Sequence, residues 1–188
     1  MKTQVPRLAA LAVAQQVEAV LAPFCERIAI AGSIRRQRPE VSDIELLFVA
    51  KTQARPDGLF DSAQVDLAAE HINLLLANGI LAKRPNARGA MTWGPQNKLA
   101  VHVASGIALD LFSTPAAHWW TSLVIRTGPK NFNLRLIEAL GKHGYSLHAY
   151  GNGSGIEHRT GGKQIVASEA DIFRLAGWKY LEPDQRKD

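Results

Sequence analysis

A chain of 188 residues can bury a substantial core as one domain or two small ones, and 46% hydrophobic with 21% charged residues excludes a disordered polymer. No apolar run reaches the length of a membrane span, and Gln15, Gln16 and Glu18 interrupt the segment where a signal peptide would need an apolar stretch. The single cysteine, Cys25, excludes an intramolecular disulfide and a cysteine-built zinc cluster. It fits a reducing compartment, and the cytoplasm is the expected location. The formal charge of +5 is unevenly spread: from Arg126 to Lys163 there are six Lys and Arg against two acids. Such a stretch suits an anionic partner, although a solvated basic surface has the same composition.

In chain order, Pro6 to about Ala22 carries apolar residues at helical spacing, and Pro23 closes the run. Ile28–Ala31 reads as a buried strand, which Gly32-Ser33 ends in a tight turn. Arg35, Arg36 and Arg38 follow at an expected helix start, where free backbone N–H groups favour an anion. Next comes Asp43-Ile44-Glu45, leading into the apolar Leu46-Leu47-Phe48. Strand alternation puts Asp43 and Glu45 on one face and Ile44 on the other. Two neighbouring carboxylates repel each other unless a cation lies between them, and a hard divalent ion with oxygen ligands is the natural occupant. The same triplet also occurs on solvated strand faces, so it is the combination with the turn and the arginines that carries weight.

Residues 51–62 read as a loop turning at Pro56-Asp57-Gly58, and Ala63–Ala77 as an amphipathic helix ended by Asn78-Gly79. Short strands and turns are expected over 80–112: Ile80–Arg84, Met91–Trp93, Lys98–Val103 and Ile107–Phe112, the last two as a hairpin across Ser105-Gly106. Asp110 stands between Leu109 and Leu111, where a lone acid is costly to bury without a partner. It is the candidate third carboxylate, brought beside Asp43 and Glu45 by an antiparallel sheet. Further on, Thr127-Gly128-Pro129-Lys130-Asn131-Phe132-Asn133 introduces an apolar helix, Leu134–Leu140. Near the end stand Ser168-Glu169-Ala170-Asp171-Ile172-Phe173 and Trp178-Lys179-Tyr180-Leu181-Glu182-Pro183, with Arg186 beyond. Ser168 with Asp171 is also a helix-start pattern.

These four motifs, in this order over roughly 28–186, resemble the X-family of DNA polymerases, the DNA polymerase beta-like branch of the nucleotidyltransferase superfamily. The resemblance implies an α+β fold, with a nucleotidyltransferase palm of mixed or antiparallel sheet and helices over 1–115 and a small α+β thumb-like subdomain over 116–188. Position by position, Gly32, Ser33 and Arg36 match holders of the triphosphate. Asp43, Glu45 and Asp110 match the metal-binding and catalytic acids, for two Mg²⁺ or Mn²⁺ ions per site. Gly128 and Asn133 match residues near the sugar and base of the incoming nucleotide. Lys130, Arg135 and Lys142 are the expected nucleic-acid contacts in the basic stretch. Arg35 and Arg38 read as surface or nucleic-acid contacts, and Trp119-Trp120 as packing between palm and thumb.

The implied activity is addition of nucleoside monophosphates from (d)NTPs to a 3′-hydroxyl, by a monomeric, gap-filling, repair-like DNA polymerase acting on primer–template DNA, with no membrane partner. Some positions depart from the pattern. Glu45 stands where polymerases carry Asp, Arg126 where an aromatic faces the ribose, Pro129 for a serine, and Ile137 where a basic residue meets the template. The sugar preference is therefore open. One alternative is an untemplated nucleotidyltransferase acting on single-stranded DNA, RNA or another acceptor; another is a catalytically silent nucleic-acid-binding protein. Only about 27 residues precede the first strand, so no 5′-phosphate lyase activity is expected.

Overall fold

The structure is a computed structural model that describes residues 4–57, 61–148 and 155–188. Its first elements are β1 (Val5–Pro6), α1 (Arg7–Leu21), β2 (Cys25–Ile30), α2 (Gly32–Arg35), β3 (Glu40–Val41) and β4 (Ile44–Ala50). There follow β5 (Thr52–Asp57), β6 (Asp61–Asp66), α3 (Leu67–Ala77), β7 (Leu81–Lys83), β8 (Asn97–His102) and β9 (Ile107–Ser113). The last are α4 (Trp119–Thr127), α5 (Lys130–Lys142), β10 (Tyr145–His148), β11 (Gly155–His158), β12 (Lys163–Gln164) and α6 (Glu169–Leu175). The protein is α+β. It divides into two compact units, Met1–Ile30 with Pro39–Thr114, and Ala31–Arg38 with Pro115–Asp188.

The first unit is built on a five-stranded sheet of order β2-β4-β9-β8-β7. All its pairings are antiparallel except β4 with β9, which run parallel. The sheet is thus mixed, and Asp110, expected to be brought in by an antiparallel sheet, reaches the acidic strand through a parallel pairing. The β8–β9 hairpin turns at Gly106, whose φ of 68° lies in the left-handed region that favours glycine. Reversing β9 beside β8 in this way lets it run alongside β4.

Helix α1 forms because Ala10, Ala14, Val17 and Leu21 make one buried stripe, and that stripe lies on β2 and β4. Helix α3 packs on β4 and β7, with Ala68, Ile72 and Leu75 buried. It starts at Leu67 rather than Ala63 because Asp66 caps it, its side chain accepting from Ala69 N at 2.8 Å. Residues 52–57 and 61–66 pair as the antiparallel strands β5 and β6, where a loop over 51–62 was expected from composition. These strands are largely exposed, so no alternating apolar pattern announces them. The turn expected at Gly58 lies outside the described residues.

Cys25 is buried at the start of β2. Burial, with Asp66 nearby, pushes its thiol up to about 11, against a smaller opposing effect of Lys51. At pH 8 only about one molecule in a thousand would carry the thiolate, which is the reactive form. Iodoacetamide is therefore expected to leave the native protein unlabelled at pH 8 while labelling it fully in urea. Equal labelling rates in the two states would contradict the burial.

The second unit gathers α2, α4, α5 and α6 with a small antiparallel sheet of order β10-β11-β12. Its core is Val124, Phe132, Leu136, Leu140, Ile156, Ile172 and Phe173, against which Trp120 and Trp178 pack. Trp120 thus packs on this unit's own core, while Trp119 is buried at the start of α4. Helix α5 runs from Lys130 to Lys142, longer at both ends than its apolar stretch indicated. Ser168 caps α6 by accepting from Asp171 N at 3.2 Å, as the helix-start pattern predicts.

Candidate functional site

The acids of the first unit fall into register on the central strands. Glu45 lies directly opposite Asp110 in the parallel β4–β9 pair, so the two side chains leave the same face of the sheet. Asp43 is two residues before Glu45, just outside the strand, and all three residues are half-buried. Along that face the next positions, Leu47 and Val49 on β4 and Phe112 on β9, are buried. The face therefore passes from apolar core to a patch of carboxylates within a few residues. Local pattern accounts for this: β4 is apolar at every position from Leu46 to Val49, and acids appear only where it emerges.

The side chain that accompanies these acids had no forecast. Arg84, just beyond the edge strand β7, donates from Nη2 to Asp110 Oδ1. Its Nε reaches Ala100 O at 3.1 Å and its Nη1 reaches Pro85 O at 3.3 Å. Three carboxylates supply hard oxygen donors, so the set is chemically suited to Mg²⁺ or Mn²⁺. Among the described residues, however, no three His, Cys, Asp or Glu side chains are gathered as a metal-holding group. The register brings Glu45 and Asp110 side by side, and the Arg84 guanidinium rests on Asp110.

In the second unit, Gly32 is buried with φ 62° and opens the one-turn helix α2. A residue with a Cβ would be strained there. Ser33 follows, its Oγ buried and without a hydrogen-bond partner among the described residues. Buried hydroxyls are rarely left so, and an added acceptor would satisfy it. Arg36 donates from Nη1 to the Thr127 carbonyl at the end of α4.

Arg35 is not a surface contact. Its Nη1 meets Thr127 Oγ1 at 2.6 Å, and both its Nη atoms meet the Glu169 carboxylate at 2.8 Å. Arg186, fully buried, approaches the same carboxylate from Nη1 and Nη2 at 3.2 Å, and Tyr180 Oη donates to it at 3.2 Å. Burial alone would raise the Glu169 carboxyl, but hydrogen bonds from Arg35 and Arg186 outweigh it and hold it below the ordinary range.

Gly128 and Asn133 are neighbours in space. Asn133 Nδ2 donates to Ile125 O at 2.7 Å, near the C-terminus of α4, while its Oδ1 is buried without a partner among the described residues. A Cβ on Gly128 would meet Asn133 Oδ1 at 2.3 Å and Phe132 Cδ1 at 2.9 Å. Gly128→Ala is accordingly expected to displace Asn133 and to cost about 1–3 kcal/mol by overpacking. Urea unfolding would measure it, and an unchanged midpoint would contradict the contact.

Of the basic residues, Lys130 is exposed at the first position of α5. Arg135 donates to Lys187 O at 2.7 Å, and Lys142 pairs with Glu138 at 2.8 Å on the surface. Arg135 and Lys142 line one cavity of 360 Å³ together with His143 and Trp178. Leu134 and Ile137 are exposed on the same helix.

Two kinds of residue escaped the sequence reading. Arg84 sits 26 positions from its partner Asp110, and no local pattern joins them. Glu169 was visible only as part of a motif; its partners Arg35 and Arg186 lie 134 and 17 positions away. No described helix is long and apolar enough to cross a membrane.

A comparison with curated proteins finds no match. The family model of the DNA polymerase beta thumb matches residues 122–187. This portion of the chain, which takes in most of the second unit, is therefore similar to the thumb of X-family DNA polymerases.

Proposed function

We propose that the protein is a metal-dependent nucleotidyltransferase of the X-family polymerase type, which extends the 3′-hydroxyl of a DNA strand with nucleoside monophosphate from a dNTP. The observation that carries the reading is the pairing of Glu45 with Asp110 across β4 and β9, with Asp43 two residues before Glu45 in the chain. The thumb similarity supports it independently, because it arises from a different part of the chain.

In this reading Asp43 and Glu45 hold the metal that accompanies the triphosphate, and all three acids hold a second one. When bound, Mg²⁺ or Mn²⁺ lowers the pKa of the attacking hydroxyl and offsets charge on the phosphates. Asp110 orients that hydroxyl and accepts its proton. Ser33 has a buried hydroxyl suited to a phosphate oxygen, Gly32 lets backbone come close, and Arg36 adds a forked cation. Gly128 and Asn133 lie towards the sugar and base, with Asn133 Oδ1 as the unsatisfied acceptor. Lys130, Arg135 and Lys142 meet nucleic-acid phosphates, the sequence-independent part of binding.

A second reading, untemplated addition to single-stranded DNA, RNA or another acceptor, draws on one observation. Ile137, where these polymerases place a basic residue against the template, is an exposed apolar residue. Labelled nucleotide addition on a one-nucleotide gap, a recessed duplex and a single strand separates the two. Incorporation directed by the template base is the expected result. Equal addition of all four nucleotides, with the single strand preferred, would transfer the conclusion to the second reading. Tight nucleic-acid binding without incorporation anywhere would overturn both in favour of a silent binding protein.

A further inference from the structure

Arg84 donates to Asp110 on the β4–β9 face, and the proposed chemistry gives it no task. Its backbone N bonds Leu99 O at 3.0 Å, and its Nε and Nη1 rest on the carbonyls of Ala100 and Pro85. The remaining nitrogen, Nη2, takes Asp110. Both side chains of the pair are well covered, at 17% and 14% exposure, so solvent screens the attraction little. Beside it opens a cavity of 330 Å³ lined by Arg84, Ser42, Ser105, Gly106 and Ala108, which gives the guanidinium room to swing without disturbing the core.

A guanidinium on Asp110 Oδ1 uses the lone pairs that a metal would need. A divalent cation arriving beside it would also meet a like charge inside a poorly screened patch. We propose that Arg84 is a displaceable counter-ion of Asp110, which neutralises the acid before a metal binds and has to move off it, into the adjoining cavity, for Asp110 to coordinate. The inference rests on the metal-binding reading of the three acids and adds an internal competitor to it. Arg84 is then a regulator of metal affinity rather than a catalytic residue. The apparent affinity for the ion is lowered by the small fraction of molecules in which Asp110 is uncovered.

The test is Mn²⁺ titration of the full chain without nucleotide, following the free aquo-ion signal by electron paramagnetic resonance. Arg84→Met is expected to bind Mn²⁺ about tenfold more tightly than the wild type. The gain should vanish when Asp110→Asn is added, because the competition acts only through that carboxylate. Unchanged or weaker binding by Arg84→Met, with circular dichroism showing it folded, would overturn the inference while leaving the wild type's metal binding intact. If Arg84→Met does not fold, the arginine side-chain nitrogen signals of the wild type decide. Mg²⁺ should move those of Arg84 towards fast solvent exchange, and signals unchanged at saturating Mg²⁺ would overturn the competition. Absence of Mn²⁺ binding by the wild type and every variant would instead remove the metal-binding reading on which this one stands.

Discussion

Asp43→Asn is expected to lower nucleotide addition on the order of 10²–10³-fold while leaving the thermal midpoint nearly unchanged. The residue is half-buried at the edge of the acidic patch, so its replacement by a near-isostere removes a charge but little packing. What is lost is the carboxylate charge that would hold the cation, and the cation offsets charge developing on the phosphates, an effect stronger in the transition state than in the ground state. Glu45→Gln should behave alike. In contrast, Lys142→Ala on the exposed face of α5 removes a surface pair worth little. It should alter the salt dependence of DNA binding more than the rate of chemistry. A loss of activity in Asp43→Asn that tracked a loss of folded protein would contradict this account.

The second large effect concerns stability. Glu169→Gln is expected to destabilise the protein by about 3–5 kcal/mol, because Arg186 would be left fully buried without its counter-charge. Arg35 would lose its partner too, and with it a tie between α2 and α6 within the second unit. The pH dependence has a definite sign. The folded Glu169 carboxyl is depressed below its ordinary value of 4.5, so its contribution is complete above that value. It is lost as the pH falls through the folded-state value. Urea unfolding monitored by tryptophan fluorescence suits the question, since Trp119, Trp120 and Trp178 belong to the second unit and only Trp93 to the first. A change below about 1 kcal/mol, the range of exposed pairs, would show that the network is not buried as described.

Part of the acidic patch was legible: strand alternation sets the face of Glu45, a lone acid in an apolar strand marks Asp110, and Asp43 stands just outside the strand. Its assembly was less so. The parallel pairing of β4 with β9 is non-local, and nothing in either strand says which way its neighbour runs. Helix ends with side-chain caps are local: Ser168 announced α6, and Asp66 carried an equally valid signal for α3 that helical spacing upstream obscured. The exposed strands β5 and β6 offered no apolar pattern at all. Arg35 read as a surface cation because a run of arginines looks solvated, yet it closes on a buried carboxylate far along the chain. Ion pairs of that span, like Arg84 with Asp110, follow from the fold and cannot precede it.

The most direct test of the central claim is single-turnover incorporation on a one-nucleotide gap, with Mg²⁺, with Mn²⁺ and with EDTA, for the wild type and for Asp43→Asn. The account predicts a one-nucleotide product in either metal, none in EDTA, and a loss on the order of 10²–10³-fold in the variant. Product that persists in EDTA, or at the wild-type rate in Asp43→Asn, would contradict it.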